Sequence, residues 1–269
     1  MSDSAPLVEY RGNCHCGAFQ FTFKSAELKP TPCDCGICSK NAYLWVRPAP
    51  NSFTVVKGDE NTTLASYEFS NKVLGHKFCP TCGTSVMARF RQETHGMTVL
   101  LNARTLHNVD FASLPQGETY KGSAIGLPYQ PPEPVATGPV PEGSTVYNGS
   151  CHCGAIAYAL LSPEKLTSTR ECNCSICWRD GALWTYPATA HVTFRGLESA
   201  TEYAFAVPRK NTQHGFCKRC GVAVYERWPD YADETALNVR TFNNVDLSSM
   251  EIEKVDGWGK LQPQYEVPA

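Results

Sequence analysis

NCHCGAFQF, residues 13–21, returns as SCHCGAIAY at 150–158, and much of the chain follows suit. CDCGIC (33–38) is matched by CNCSIC (172–177), HKFCPTCG (76–83) by HGFCKRCG (214–221), and LNARTLHNVD (101–110) by LNVRTFNNVD (237–246). The offset stays between 136 and 139 residues, so the blocks keep their order with only small insertions. In a chain of 269 residues this is the pattern of two copies of one domain. Between Leu127 and Gly143 runs LPYQPPEPVATGPVPEG, whose six prolines favour an extended connector without a core of its own. The expected division is a first domain over 1–130, a linker over 131–143 and a second domain over 144–269.

Within each copy the apolar period is mostly two. AFQFTFK alternates Phe19, Phe21 and Phe23 with polar residues, and AIAYALL sets Ile156, Tyr158 and Leu160 on one face. SFTVVKG and HVTFRG, SYEF and EYAF, SVMARF and AVYERW read as further short strands rich in β-branched and aromatic residues. Helical periodicity is absent from every long stretch, which leaves room for a turn or two of helix after each six-residue cysteine cluster. The fold class expected is mainly β, built of short antiparallel sheets.

Charge is balanced, with 24 Lys+Arg against 26 Asp+Glu, which argues against nucleic acid as a partner. The N-terminus lacks the basic and apolar regions of a secretory signal, and no run of residues has the length and apolarity of a membrane span. The expectation is a soluble cytoplasmic protein, with the nucleus also open to it and no membrane partner. In a reducing compartment 14 cysteines point to metal or redox use rather than a disulfide framework, and zinc leads.

The cysteines fall into C-x-C, C-x-C-x-x-C and C-x-x-C-G groups, seven in each copy, with none left over. On a strand, residues i and i+2 share a face, so Cys14 and Cys16 are expected to grip one metal while His15 points away. In FCPTCG the chain turns around a metal, and Gly83 supplies a positive-φ residue to close the knuckle, as Gly221 does in the second copy. One pincer and one knuckle make a closed four-thiolate site from Cys14, Cys16, Cys79 and Cys82, with a twin from Cys151, Cys153, Cys217 and Cys220. Closed sites of this kind are structural. Subtraction leaves Cys33, Cys35 and Cys38, and their twins Cys172, Cys174 and Cys177. His76 and His214 stand at matching places and would complete a three-cysteine, one-histidine site; the alternative is a three-thiolate zinc with an open fourth position. Zinc with three thiolates is a weak generator of hydroxide but suits a fourth sulfur, so a substrate thiol is the natural guest.

G-x-C-x-C-G, then C-x-C-x-x-C, then F-C-x-x-C-G resembles, twice over, the glutathione-dependent formaldehyde-activating enzyme family, which includes centromere protein V and has an Mss4-like fold. The resemblance implies that the outer four cysteines of each copy hold a structural zinc and the middle three a labile, catalytic one, up to four zinc ions per chain. It also implies carbon–sulfur lyase chemistry on a small-molecule thiol adduct, with glutathione as cosubstrate, as in formation of S-hydroxymethylglutathione. The alternatives are a non-catalytic zinc-stabilised binding module of the centromere protein V type and a repurposed zinc enzyme of secondary metabolism. Two fused copies also suggest a pseudo-dimer within one chain.

Asn102 and Arg104 recur as Asn238 and Arg240. Each arginine either binds a carboxylate of a glutathione-like substrate or, with its asparagine, ties a strand end to a neighbouring loop. Lys40 and Arg179, just after the trios, are alternative anion partners or solvated charges. Trp45 and Trp184 read as core aromatics or as the wall of a pocket. No role is assigned to His95, His107 or His191. A Ser-His-Asp set and a phosphate-cradling glycine loop are both missing.

Overall fold

The alternating aromatics of the opening repeat form a buried strand face in each copy. In the computed structural model, which describes residues 5–111, 113–204 and 212–268, Phe19, Phe21 and Phe23 are at most 1% exposed, and Ile156, Tyr158 and Leu160 are fully buried. The chain divides into two units, Met1–Tyr129 with Glu266–Ala269, and Gln130–Tyr265.

The first unit contains β1 (Val8–Asn13), β2 (Gln20–Ser25), β3 (Thr31–Pro32), β4 (Leu44–Val46), β5 (Thr54–Lys57), β6 (Ala65–Tyr67), β7 (Leu74–Phe78), β8 (Ser85–Thr94) and β9 (Met97–Asn102). They form a three-stranded sheet, β1-β2-β5, and a six-stranded sheet, β3-β4-β9-β8-β7-β6. The second unit contains β10 (Thr145–Ser150), β11 (Ala157–Ser162), β12 (Ser168–Cys172), β13 (Trp184–Thr185), β14 (Val192–Arg195), β15 (Ala200–Tyr203), β16 (Gln213–Cys217), β17 (Ala223–Arg227), β18 (Thr235–Asn238) and β19 (Glu251–Val255). Its sheets are β10-β11-β14 and β15-β16-β17-β18-β13-β12-β19. The mainly β, two-copy architecture agrees with the sequence pattern. Of the EYAF segment, Phe205 lies outside the described residues.

Two details differ from the pattern. β12 and β19 pair in parallel, with Cys172 opposite Val255, and Cys33 makes the matching parallel bridge to Tyr120. Parallel neighbours need a long crossover, which alternation within a strand does not reveal. The short helices α1 (Gly36–Asn41) and α2 (Ser175–Asp180) begin inside the cysteine clusters rather than after them. Cys35 and Cys174 are their N-caps, so Cys38 and Cys177 follow three residues on, one helical turn away and on the same side. A third helix, α3 (Gly257–Lys260), follows β19.

The proline-rich stretch also acquires a packing role. Val135 is buried against Ala157 and Ala159, on the opposite face of β11 from Tyr158. Arg195 Nη2 donates to the carbonyl oxygen of Glu133 at 2.9 Å. The first copy has Gln20 and Thr22 at the matching places, both half-buried. Small apolar alanines thus let an extended segment lie flat on a strand that polar residues leave wetter. No helix among the described residues is long and apolar enough to cross a membrane.

This packing makes a paired prediction. Ala159→Glu places a carboxylate under Val135 and is expected to cost about 2 kcal/mol or more, whereas Thr22→Glu is expected to stay within about 0.5 kcal/mol. Thermal denaturation of the two variants checks it; equal shifts would show that the segment does not shield β11.

Candidate metal centres

Cys14 and Cys16 lie just past the end of β1, in a tight turn where Gly17 N–H donates to the Cys14 carbonyl oxygen at 2.9 Å. The expected strand pincer is therefore a turn. The reason is distance: side chains two apart on a pleated strand sit about 7 Å from one another, and the turn brings these sulfurs to 3.7 Å. His15 between them is buried, and its backbone N–H donates to Thr84 Oγ1 at 3.1 Å. The knuckle forms as its spacing implies, with Gly83 at φ +76° and Gly221 at φ +73°. Their N–H groups donate to the carbonyl oxygens of Cys79 and Cys217 at 2.9 and 2.8 Å.

Cys16 and Cys79 sulfurs stand 3.6 Å apart, and the twin site repeats this at Cys151–Cys153 and Cys153–Cys217, each 3.6 Å. Tetrahedral metal–sulfur bonds of about 2.3 Å place sulfurs about 3.8 Å apart, so the spacing fits one ion held by four thiolates. All 14 cysteines are free thiols. Backbone N–H groups of Phe19 and Ile156 donate to the Cys14 and Cys151 sulfurs at 3.3 Å, the contact that liganding thiolates attract. Four clusters can each hold a metal: these two fours and the two trios.

In each trio the three sulfurs lie within 4.8 Å of one another, and among the described residues no histidine nitrogen or carboxylate oxygen joins them within that span. His76 instead lies among aromatic rings, with centroids 5.6 Å from Tyr43, 5.9 Å from Trp45 and 5.6 Å from Phe69. His214 Nδ1 pairs with Glu226 Oε1 at 2.9 Å. Hydrogen bonds from Cys35 and Cys38 hold the Cys33 thiol down to about 3, and Cys174 and Cys177 do the same for Cys172. The donors are pushed up, Cys35 to about 11 and Cys174 to about 12, first by that same thiolate neighbour. Within each trio the first cysteine is thus the one whose ionised form its neighbours favour.

The recurring Asn and Arg fasten each trio from behind. Asn102 Oδ1 accepts from the N–H groups of Leu44 and Arg104, both at 3.3 Å, and its Nδ2 donates to the Ser85 carbonyl at 2.8 Å. Arg104 Nε donates at 2.7 Å to the carbonyl of Ala42, the left-handed residue that ends α1. Asn238 and Arg240 repeat the arrangement, with Arg240 Nε 2.7 Å from the carbonyl of Gly181 at the end of α2. Burial lowers the Arg240 pKa. Lys40 and Arg179 are buried too. Lys40 Nζ stands 5.3 Å over the Tyr129 ring, and the Arg179 guanidinium 4.8 Å over Tyr265. Trp45 and Trp184 are both buried, and Trp45 Nε1 donates to Cys38 Sγ at 3.3 Å.

Each trio is closed by one glycine that the motifs did not single out. A Cβ on Gly122 would come within 2.5 Å of Cys33 Sγ, and one on Gly257 would collide with Cys172 Sγ. Only glycine lets the backbone approach the sulfur so closely. Next to these glycines, Asp34 Oδ1 accepts from Ser123 N–H at 2.8 Å and Asn173 Oδ1 from Trp258 N–H at 2.7 Å. Asp34 and Asn173, different in sequence, thus do one job: they pin a downstream backbone strap across the trio. The YKGS and VDGW segments share only the glycine, so one fixed residue was too little signal to find them.

The trios differ in their other neighbours. Tyr43 stacks on Trp45 at 4.1 Å in the first copy, and Ala182 replaces it in the second. Ala88 on β8 gives way to Glu226 on β17, and Asn41 to Asp180. Glu226 is 5% exposed, and its Oε1 accepts from Cys177 Sγ at 3.4 Å. Burial pushes Asp180 up to about 7. Burial alone would lower the His214 pKa, but the Glu226 carboxylate raises it on balance. Laying AVYERW on SVMARF shows Glu226 as a charge at an inward strand position, a signal legible in the sequence and passed over.

The sequence profile of the family described as glutathione-dependent formaldehyde-activating enzyme matches residues 9–123 and again 146–255. A curated Halomonas elongata protein whose name carries the words "glutathione-dependent formaldehyde-activating enzyme" is 29% identical over 92 residues, covering 30% of this chain and 58% of that protein. The chain thus spans just over half the length of that relative. A crystal structure of a Rhodobacter sphaeroides protein is 27% identical, covers 40% of this chain and 99% of its own, and superposes with a TM-score of 0.35.

Two outcomes follow from the site. Because the neighbouring thiols lower the Cys33 pKa while those of Cys35 and Cys38 are raised, metal loading of each trio is expected to release about two protons near neutral pH and to tighten as pH rises. Calorimetry in buffers of different ionisation enthalpy measures the number; three per trio would mean that Cys33 and Cys172 are not pre-ionised. Gly257→Ala is expected to weaken metal binding at the second trio about tenfold and to spare the four-cysteine sites, as read by chelator competition. Unchanged affinity would show that the strap does not hold this trio.

Proposed function

The chain belongs to the glutathione-dependent formaldehyde-activating enzyme family, and on that premise we propose that it is a zinc-dependent enzyme forming or cleaving a carbon–sulfur bond of a glutathione-type adduct. The observation that carries this reading is that each trio offers three sulfurs to one ion, with no fourth ligand atom from the described residues within 4.8 Å of all three. Beside each trio stands a four-sulfur cluster that is complete by itself. The reading assigns up to four zinc ions per chain, a structural one to each four and a labile one to each trio, in a cytoplasmic protein.

The reaction is condensation of a thiol with formaldehyde. One carbon–sulfur bond forms, the carbonyl π bond breaks, and the proton that the thiol gives up ends on the former carbonyl oxygen. Zinc bound at a trio supplies a soft Lewis acid that favours the thiolate form of the substrate. The chain's own part is to keep the three sulfurs aimed at one point. The Trp45 N–H would steady the charge on a ligating Cys38, the arginines fix the helix ends, and the Gly122 and Gly257 straps shield one side of the first cysteine. Holding the site rigid before substrate arrives reduces reorganisation at the moment of reaction.

The test is exchange between glutathione and its hydroxymethyl adduct, followed by NMR at equal reactant concentrations with and without the zinc-loaded full chain. Acceleration over the uncatalysed exchange is expected, together with its loss in a Cys38→Ser, Cys177→Ser double variant that keeps both four-cysteine sites. Equal exchange with and without protein would rule the reading out.

A further inference from the structure

The two trios present the same sulfurs in different company, and the difference bears on what each can bind. At the first trio Cys38 Sγ accepts from Trp45 Nε1, Tyr43 covers that indole, and the Ala88 side chain offers neither donor nor acceptor. At the second, Cys177 Sγ turns to Glu226 Oε1, an oxygen that also pairs with His214 Nδ1. The Trp184 indole N–H, packed in one cluster with Cys174 and Cys177, is buried without a hydrogen-bond partner among the described residues.

A sulfur that ligates a metal carries no proton. Once the second trio is loaded, Glu226 loses Cys177 as a donor and faces a negatively charged sulfur at 3.4 Å. A buried carboxylate beside a thiolate is stable only where donors are supplied to it. His214 Nδ1, 2.9 Å away, supplies an ion pair. A hydroxyl on the incoming molecule would supply a hydrogen-bond donor, while its oxygen would give the Trp184 N–H an acceptor. A plain alkyl group would do neither.

We propose that Glu226 makes the second trio selective for sulfur compounds bearing a hydroxyl two or three bonds from the sulfur, and that the first trio lacks this selectivity. Glu226 is the specificity-determining residue and His214 its positioning residue. The proposal rests on the reading that the trios receive a substrate sulfur.

Cobalt(II)-substituted full-length protein tests it, because a fourth sulfur changes the thiolate-to-cobalt absorption. Cys35→Ser with Cys38→Ser leaves only the second trio, and Cys174→Ser with Cys177→Ser leaves only the first; metal analysis confirms loading. The probes are 2-mercaptoethanol and ethanethiol. The second trio is expected to bind 2-mercaptoethanol about tenfold more tightly than ethanethiol, the effect of one hydrogen bond to a charged group. The first trio is expected to bind the two alike. Glu226→Ala should erase the preference, Glu226→Gln should keep part of it through its remaining carbonyl oxygen, and Ala88→Glu should confer it on the first trio. Equal binding of both thiols at the second trio, or a preference that survives Glu226→Ala, overturns this proposal and leaves the proposed function standing. If Glu226→Ala fails to load cobalt, Ala88→Glu decides, and no gained preference there counts against the proposal. Absence of any spectral change with either thiol at either trio overturns both.

Discussion

Two pairs of cysteine sulfurs more than sixty residues apart in the chain meet at 3.6 Å, and as thiolates they would need a cation among them. Cys14 and Cys16 follow the first strand of a unit; Cys79 and Cys82 follow a strand of its larger sheet. An ion held there would tie the small sheet to the large one, and structural zinc sites of this type contribute on the order of 10 kcal/mol to folding. Most of the other arrangements in each unit presuppose that tie, because the strands that carry the trio's supports belong to the larger sheet. A metal on a trio closes a loop of only six residues, so it adds little to the fold. This contrast gives a physical basis for a firm and a labile ion in one domain.

Each unit serves as the control for the other. What recurs is scaffolding: the asparagine that staples three segments, the arginine that caps the trio's helix, the glycine that lets a backbone strap touch the first sulfur, and a cation over a tyrosine ring. What changes includes side chains around the trios. Tyr43, Ala88 and Asn41 in one copy stand against Ala182, Glu226 and Asp180 in the other. Such a division is what a duplicated site shows when its framework is held and its contacts are altered. Asp34 and Asn173 warn against equating every difference with a new ligand, since both accept from the strap's amide.

Much of this was legible in the chain itself. The doubled motifs implied two units, the period of two implied sheets, and the partition of seven cysteines into a four and a three agrees with the clusters observed. Gly83 and Gly221 were readable because a knuckle of that spacing needs a positive φ. The C-x-C pair was misread as a strand pincer, since the motif alone does not say whether two side chains meet by pleating or by turning. Val135 could not be seen on the back of β11, because a proline-rich composition describes stiffness and not contact.

The sequence by itself therefore determined the number of units, their class and the sulfur donors of each cluster, because these follow from local spacing and repetition. Only the tertiary structure decided who stands next to the trios. His76 enters an aromatic cluster and His214 an ion pair, and neither joins the sulfurs. Arg104 and Arg240 turn to helix ends, and Glu226 reaches Cys177 across forty-nine positions of chain. Those outcomes depend on strand register and on which backbone carbonyls are left needing a donor, and neither is set until the sheets have assembled.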